Sequence, residues 1–429
     1  MFEINWKTED RKQTAEKSFF CPLSSVLCLL SSVFCLLSSV FCILFLVSCP
    51  KKTTLPPEAS IYHNNKGVVY LSEGDFERAE FSFKTALELN PKYAEAYNNL
   101  GIVYKGQGNL DKAVQMFQKS IEIDNDYASA HNHLGATYLA QGKTDDAIKE
   151  LKKAEKGDPA SAEIKYNLGV AHFEKKEFGE AEKKWKEATT LNPDLEPVHL
   201  RLAEWYREQH KYDLAIIRYR LALTAVNKPA TWVRMGTLYL EMQDPFKAQN
   251  AFQKALETDS ANIDALLYLG QFYLDQNRYE EAAEQFQLVT EVEPHQEMGF
   301  FRLGTAYLKQ AEEEGVGASS PLWLKAAEAL EKAKGKNPAF SDASYNLGWA
   351  YLKAGKEDPA RSAWEYTLVI AADHPQTLYN LGMLDQQQNK KGGATKNFCR
   401  FLKVGANDFP VEAGVARQAL GQMNAVCPD

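Results

Sequence analysis

A unit of 34 residues recurs along this chain and constrains its fold more than any other feature. In the clearest copy, Leu100 and Tyr104 have the spacing of one helix face, and Gly108 follows where that helix should end. Ala113 and Phe117 repeat this spacing in a second segment. Two helices this short cannot bury their apolar faces alone, so each unit must stack on a neighbour.

Ten copies of the unit can be placed between residues 60 and 406, counted so that Gly101 is position 8 of its copy. Small residues recur at positions 8, 20 and 27, which lets two helices approach closely, and mostly aromatic residues at positions 11 and 24 fill the space between units. The copies span residues 60–93, 94–127, 128–161, 162–195, 196–228, 229–262, 263–296, 297–340, 341–374 and 375–406.

The eighth copy has ten extra residues, centred on residues 312–321. We interpret them as a flexible insertion between two helices that carries little of the stacking interface. Residues 407–429 follow the last copy, and we expect a capping helix and tail there, because a terminal unit needs a polar outer face.

This pattern resembles the tetratricopeptide repeat (TPR) family over about four-fifths of the chain. The resemblance implies an all-α fold, a superhelical solenoid of helix-turn-helix repeats. It also implies that the first helix of each pair lines a concave groove that binds protein or peptide ligands.

The amino-terminal segment predicts attachment to a membrane. Residues 18–48 contain no charged side chain, and that length is enough for a helix to cross a bilayer. We therefore interpret residues 1–48 as a signal peptide or membrane anchor and residues 49–59 as a tether.

The end of this segment, Leu46-Val47-Ser48-Cys49, resembles a bacterial lipobox. The resemblance implies that residues 1–48 are removed and that a lipid is attached to Cys49. An outer-membrane lipoprotein facing the periplasm is the favoured interpretation. The alternative is an uncleaved inner-membrane helix, which the length of the apolar run would suit.

Composition and motifs exclude several classes of function. The net charge is −8 and no basic run is present, which argues against a nucleic-acid ligand. The sequence contains neither a His-Glu-x-x-His motif nor paired Cys-x-x-Cys motifs, and the repeats leave no room for a catalytic domain. We therefore predict no enzyme activity, no cofactor, no metal site and no small-molecule substrate.

The resemblance places positions 2, 5, 6, 9, 12 and 13 of the first helices on the groove, and the candidate binding residues stand at positions 5, 6 and 9. Asparagine recurs there, and its amide can donate to and accept from a peptide backbone. It can equally stabilise the stack, and both interpretations stay open. Arginine and aromatic residues, the usual anchors of interfaces, complete the set. The candidates are Asn65, Asn99, Asn167, Arg201, Arg234, Tyr268, Arg302, Tyr345, Asn346, Trp349 and Asn380.

Cys399 and Cys427 lie at the carboxyl end of the repeats. Outside the cytoplasm they could pair and join the cap to the last repeat, or they could remain two free thiols.

The sequence as a whole predicts a membrane-anchored, extracytoplasmic TPR scaffold for envelope complexes. Among such proteins it resembles the outer-membrane lipoproteins that help assemble the type IV pilus secretin. The alternatives are an adaptor for cell-wall hydrolases and a regulatory subunit of an envelope enzyme such as a glycosyltransferase.

Overall fold

A computed structural model describes residues 57–427 of the chain. These residues form 21 α-helices and no β-strand, so the predicted all-α repeat architecture is confirmed. Residues up to Asn125 belong to one compact unit and residues from Asp126 onward belong to another.

The first compact unit contains two helix pairs. Its helices are α1 (Pro57–Ser72), α2 (Phe76–Leu89), α3 (Ala94–Gly106) and α4 (Leu110–Ile123).

The second compact unit contains eight helix pairs and a closing helix. Its helices are α5 (Ala128–Ala140), α6 (Thr144–Gly157), α7 (Ala162–Glu174), α8 (Phe178–Leu191), α9 (Glu196–Glu208), α10 (Tyr212–Ala225), α11 (Pro229–Glu241), α12 (Pro245–Thr258), α13 (Ile263–Asp275), α14 (Tyr279–Val292), α15 (Glu297–Glu313), α16 (Pro321–Lys336), α17 (Ser341–Lys353), α18 (Glu357–Ile370), α19 (Pro375–Gln387), α20 (Lys391–Val404) and α21 (Pro410–Gln422).

Short polar turns separate the two helices of a pair. Gly108 has a φ of +79°, a conformation that ends α3 and that glycine adopts without strain. The next residue, Asn109, caps α4, because its side-chain oxygen accepts a hydrogen bond from the Lys112 backbone amide at 3.1 Å. The chain therefore reverses direction within three residues.

Glycine at position 8 sets the distance between paired helices. A Cβ added to Gly101 would lie 2.5 Å from the Phe117 ring, and one added to Gly169 would lie 2.3 Å from the Trp185 ring. Phe117 and Trp185 are almost completely buried. The large side chain of the second helix thus occupies the space that glycine leaves on the first, at the density of a protein core.

The extra residues of the eighth repeat lie partly in its two helices and partly in the connection between them, residues 314–320. They lengthen α15 to 17 residues and α16 to 16, against 13 and 14 in a pair such as α13 and α14. Trp323 is buried, and its indole donates to the Gly317 carbonyl at 3.2 Å. The longer pair also contacts the next repeat, since Trp349 donates to Glu312 at 2.9 Å.

The closing helix α21 covers the last repeat. Its buried residues Ala413, Ala416 and Leu420 pack in one core with Phe401 of α20. Cys399 of α20 and Cys427, just after α21, form a disulfide bond. The structure therefore pairs the two cysteines and joins the cap covalently to the last repeat.

The predicted signal or anchor segment, Cys49 and most of the tether lie outside the described residues. Between residues 57 and 427, no helix has the length and the apolar character needed to cross a membrane.

Candidate functional site

We call the side chains at positions 2, 5, 6, 9, 12 and 13 of the first helices the first-helix surface. It contains the residues that the sequence singles out for peptide binding, and the structure separates them into groups with different environments.

The first group is an asparagine ladder between neighbouring first helices. In the first compact unit, the Asn64 amide donates to Glu95 at 3.1 Å, and Asn99 donates to the Asn64 side-chain oxygen at 3.1 Å. Asn64 is fully buried. One buried asparagine thus connects two residues of the next repeat. Asn65, beside it, is exposed.

The second compact unit contains the same arrangement at its start. Asn132 donates to Glu163 at 3.0 Å, and Asn167 donates to the Asn132 side-chain oxygen at 2.8 Å. Asn132 is buried, and a buried amide without partners would be costly. The amide groups of Asn99 and Asn167 therefore take part in the stack, as one of the two interpretations expects.

The later asparagines of the surface differ, because the residue at position 5 of the preceding repeat differs. Asn380 lies 3.5 Å from the Tyr345 hydroxyl, a long contact at the ladder position. In the repeat before Asn346, position 5 is Phe301, whose ring offers no acceptor. Within residues 57–427 the Asn346 side chain makes no hydrogen bond. Its amide is half-buried and is available to a ligand.

Charged side chains cross the middle of the surface in the second compact unit. Arg207 of α9 pairs with Glu241 of α11, and Arg234 of α11 pairs with Glu204 of α9 at 3.3 Å. The Tyr219 hydroxyl of α10 donates to Glu204 at 2.7 Å. This network connects successive repeats and leaves little of its charge unbalanced.

Two pKa shifts follow from this network. Burial, together with the Glu204 carboxylate, raises the pKa of Tyr219 well above its usual range. The hydrogen bond to Glu241 raises the pKa of Arg207, which is already a permanent cation. Both groups keep their protons at physiological pH, so the network is fixed there.

Arg201 is the exception among these arginines. Its side chain is exposed, and within the described part of the chain it forms no ion pair. Arg302, in contrast, donates to Gln271 of the preceding first helix. Tyr268 is 39% exposed, and its ring stacks on that of Phe252 with centroids 4.9 Å apart.

Aromatic residues gather on the first helices α15, α17 and α19. Tyr345 lies against His374, with ring centroids 5.0 Å apart, and burial raises its pKa. The Trp349 ring has the Lys353 ammonium 4.8 Å from its centroid. We call Phe301, Arg302, Tyr345, Trp349 and Tyr379 the aromatic patch. These five side chains are half-buried, so each keeps an accessible part.

Glu312 is a contributor to this patch that the sequence did not indicate. It belongs to the added turn of α15, and it orients the Trp349 indole across 37 residues of sequence. The position of the insertion just before the aromatic repeats was the available signal. Among the described residues, no group of three or more His, Cys, Asp or Glu side chains could hold a metal ion.

Models of the tetratricopeptide repeat match residues 57–126, 94–160, 134–196, 239–298 and 323–375 of this chain. Together these matches cover more than half of its length. The chain belongs to the tetratricopeptide repeat family. The predicted family is thus confirmed, and TPR proteins bind protein partners.

One curated relative of this TPR protein is Cellulose synthase operon protein C of Xanthomonas axonopodis pv. citri (strain 306). It is 29% identical over 168 residues, which are 39% of this chain and 11% of the relative. The chain therefore spans about a tenth of that protein's length.

Solved structures with a similar fold include pilF of Pseudomonas aeruginosa, with 20% identity and a TM-score of 0.44 over 51% of this chain and 98% of that chain. PilW, described as a widely conserved type IV pilus biogenesis factor, has 19% identity and a TM-score of 0.44 over 47% of this chain and 94% of that chain.

Proposed function

We propose that this TPR protein is a membrane-anchored, extracytoplasmic scaffold that binds protein ligands on its first-helix surface during assembly of envelope complexes. The observation that carries the proposal is the aromatic patch. Its aromatic side chains keep accessible parts on three first helices, and aromatic and arginine side chains are the usual anchors of interfaces.

The chemistry of the patch indicates what it would bind. Asn346 contributes an amide that makes no hydrogen bond within the described residues, Lys353 adds positive charge over the Trp349 ring, and Arg302 follows Phe301 in sequence. An extended peptide segment with apolar and acidic side chains complements such a surface. Within this class, assembly of a type IV pilus secretin is the narrower role, which the sequence resemblance favours.

Two observations support a location outside the cytoplasm. The residues Leu46-Val47-Ser48-Cys49 follow a long uncharged run and resemble a lipobox. The disulfide between Cys399 and Cys427 is of a kind that persists in oxidising compartments. Several acyl chains at Cys49 would hold the protein on a membrane, since each buried methylene contributes about 0.8 kcal/mol.

The second candidate function is that of a regulatory or adaptor subunit of an envelope enzyme, such as a glycosyltransferase. The relative named for a cellulose synthase operon favours it, because that name connects similar repeats with a polysaccharide synthase. The two candidates differ in the partner that the first-helix surface captures: an assembly factor in one case, an enzyme in the other.

The Cys49→Ser variant tests the anchor. Expressed in a Gram-negative host, the wild-type protein should have the mass of residues 49–429 plus acyl chains and should sediment with membranes. The variant should lose the acyl mass. An unprocessed mass that is the same in both proteins would instead assign residues 18–48 to a permanent transmembrane helix.

The double variant Arg201→Ala/Asn346→Ala tests the binding surface. Neither side chain has a polar partner within residues 57–427, so thermal unfolding should be unchanged. Capture of crosslinked envelope partners should fall by about tenfold or more, which corresponds to the loss of one charged and one neutral hydrogen bond. Quantitative mass spectrometry of the captured proteins measures this fall in capture and identifies the class of partner.

A matched control is Lys152→Ala/Gln253→Ala, which also removes one cation and one amide, both exposed and on second helices. Its capture should equal that of the wild type. Asn167→Ala should behave differently from both double variants and lower stability by about 1 kcal/mol, because Asn132 then loses a partner. Equal capture by the two double variants would contradict the proposed surface.

A further inference from the structure

A polar cluster recurs where the second helix of one repeat meets the first helix of the next. In the first compact unit, the Tyr104 hydroxyl donates to Glu80 at 3.0 Å, and the Lys84 ammonium lies 2.7 Å from the same carboxylate. In the second compact unit, Tyr206 donates to Glu182 at 3.0 Å in the same way. The tyrosine stands at position 11, the glutamate at position 21 and the lysine at position 25.

Two later junctions also contain a carboxylate, supplied from another position. Tyr351 donates to Glu331, which stands at position 25. At the last junction the charges are exchanged, and Arg361 at position 21 pairs with Asp385 at position 11, at 2.6 Å. An anion at these four junctions therefore balances the cations and satisfies the donors that packing brings together.

The junction between α10 and α11 is one of those without such an anion. Position 21 is Ile216, position 25 is Arg220 and position 11 is Tyr239. Within the described residues, Arg220 forms no ion pair and the Tyr239 hydroxyl makes no hydrogen bond, although Tyr239 is only 5% exposed. The donors of the cluster are present, and the acceptor is missing.

A pocket of about 400 Å³ opens at this junction, between α10, α11 and α12. Arg220, Tyr239 and Lys247 line it together with Trp232, and Phe246 stands at its edge, 70% exposed. Lys247 is already paired with Asp244 at 2.6 Å. Arg220 therefore supplies the unbalanced positive charge, and the aromatic rings supply apolar walls.

We propose that this pocket binds a carboxylate side chain from an acidic peptide segment of a partner protein, in the place that Glu80 and Glu182 occupy at other junctions. Arg220 and Tyr239 bind the carboxylate, and an apolar side chain next to it in the peptide packs against Trp232 and Phe246. Charge complementarity selects an anionic ligand. The pocket shares no residue with the first-helix surface, so it gives the scaffold a second binding site.

The probe is a fluorescein-labelled peptide, acetyl-Gly-Phe-Glu-Glu-Phe-Gly-amide, compared with the peptide in which glutamine replaces both glutamates. Fluorescence anisotropy measures the binding of each to the full-length chain in a nonionic detergent. The main variant is Ile216→Glu, which restores the carboxylate within the chain. Its matched control is Ile217→Glu, the same substitution at a neighbouring, 52% exposed side chain.

The acidic peptide should bind at least about tenfold more tightly than the glutamine peptide, as expected for a charge-assisted contact. Ile216→Glu should weaken its binding by at least about tenfold without lowering the melting temperature, because the new carboxylate meets Arg220 and Tyr239. Ile217→Glu should bind it like the wild type, and Ile216→Glu added to Arg201→Ala/Asn346→Ala should weaken binding by the same factor as in the wild type, which separates this pocket from the first-helix surface.

If Ile216→Glu does not fold, the variant Arg220→Glu tests the pocket instead, because Arg220 is exposed. It too should weaken binding of the acidic peptide by at least about tenfold. No binding of the acidic peptide to the wild type up to about 1 mM would overturn the proposal. Equal binding of the two peptides, or unchanged binding by Arg220→Glu, would also overturn it.

Discussion

Replacing Asp385 by alanine should destabilise the C-terminal repeats by about 3 kcal/mol, the lower end of the cost of breaking a buried ion pair. Asp385 is 3% exposed, and its carboxylate accepts from Arg361 at 2.6 Å and from Asn397 at 3.0 Å. The substitution leaves the Arg361 guanidinium largely buried, with Gln388 at 2.8 Å and the Glu365 carboxylate at 3.9 Å as its remaining partners. Chemical denaturation followed by circular dichroism measures the loss.

Two further variants test whether the destabilisation by Asp385→Ala comes from the buried charge that it leaves unpaired. The double variant Arg361→Met/Asp385→Leu should recover much of the stability, because it removes both charges and keeps the volume. Asp358→Ala on the same helix as Arg361 removes an exposed carboxylate and should change stability by less than about 0.5 kcal/mol. An effect of Asp385→Ala no larger than that of Asp358→Ala would show that the pair does not hold the repeats together.

Removing the disulfide should loosen the closing helix. Cys399 and Cys427 are separated by 28 residues, and a loop of this length corresponds to about 3 to 4 kcal/mol in the chain-entropy account. Because repeats unfold locally, we expect Cys427→Ser to accelerate amide hydrogen exchange throughout α21 and less in the earlier repeats. Hydrogen-exchange mass spectrometry resolves the two regions.

Val426→Ser is the matched control for this prediction. It places the same side chain one residue earlier, at a position that is 86% exposed, and exchange in α21 should stay at the wild-type rate. Addition of a reductant to the wild type should reproduce the Cys427→Ser result. Unchanged protection of α21 after reduction would mean that the packing of Ala413, Ala416 and Leu420 is sufficient by itself.

The first-helix surface shows that the repeat position of an asparagine does not by itself predict its hydrogen-bond partner. The sequence placed Asn99, Asn167 and Asn346 at one repeat position and left their role open. The structure separates them by the residue at position 5 of the preceding repeat: Asn64 and Asn132 accept from the first two, whereas Phe301 offers Asn346 no acceptor. The role of each amide therefore depends on a side chain in the neighbouring repeat.

The sequence by itself determined the fold class and the family, because the signals that specify them are local. A glycine such as Gly101 and a large side chain such as Phe117 are 16 residues apart, and their close contact is repeated in unit after unit. Each copy repeats the contact between a small residue and a large one, so the period of the pattern predicts the helix pairs and their stacking. The membrane anchor at Cys49 remains a prediction of the sequence.

The tertiary structure alone decided which polar groups acquire partners. Some of the added residues of the eighth repeat extend α15 and α16, where Trp323 is buried and Glu312 comes within hydrogen-bonding distance of Trp349. Arg220, Trp232 and Tyr239 became the wall of a pocket only when two repeats stacked. Such contacts join side chains from different repeats at distances set by packing, and the repeat period carries no information about them.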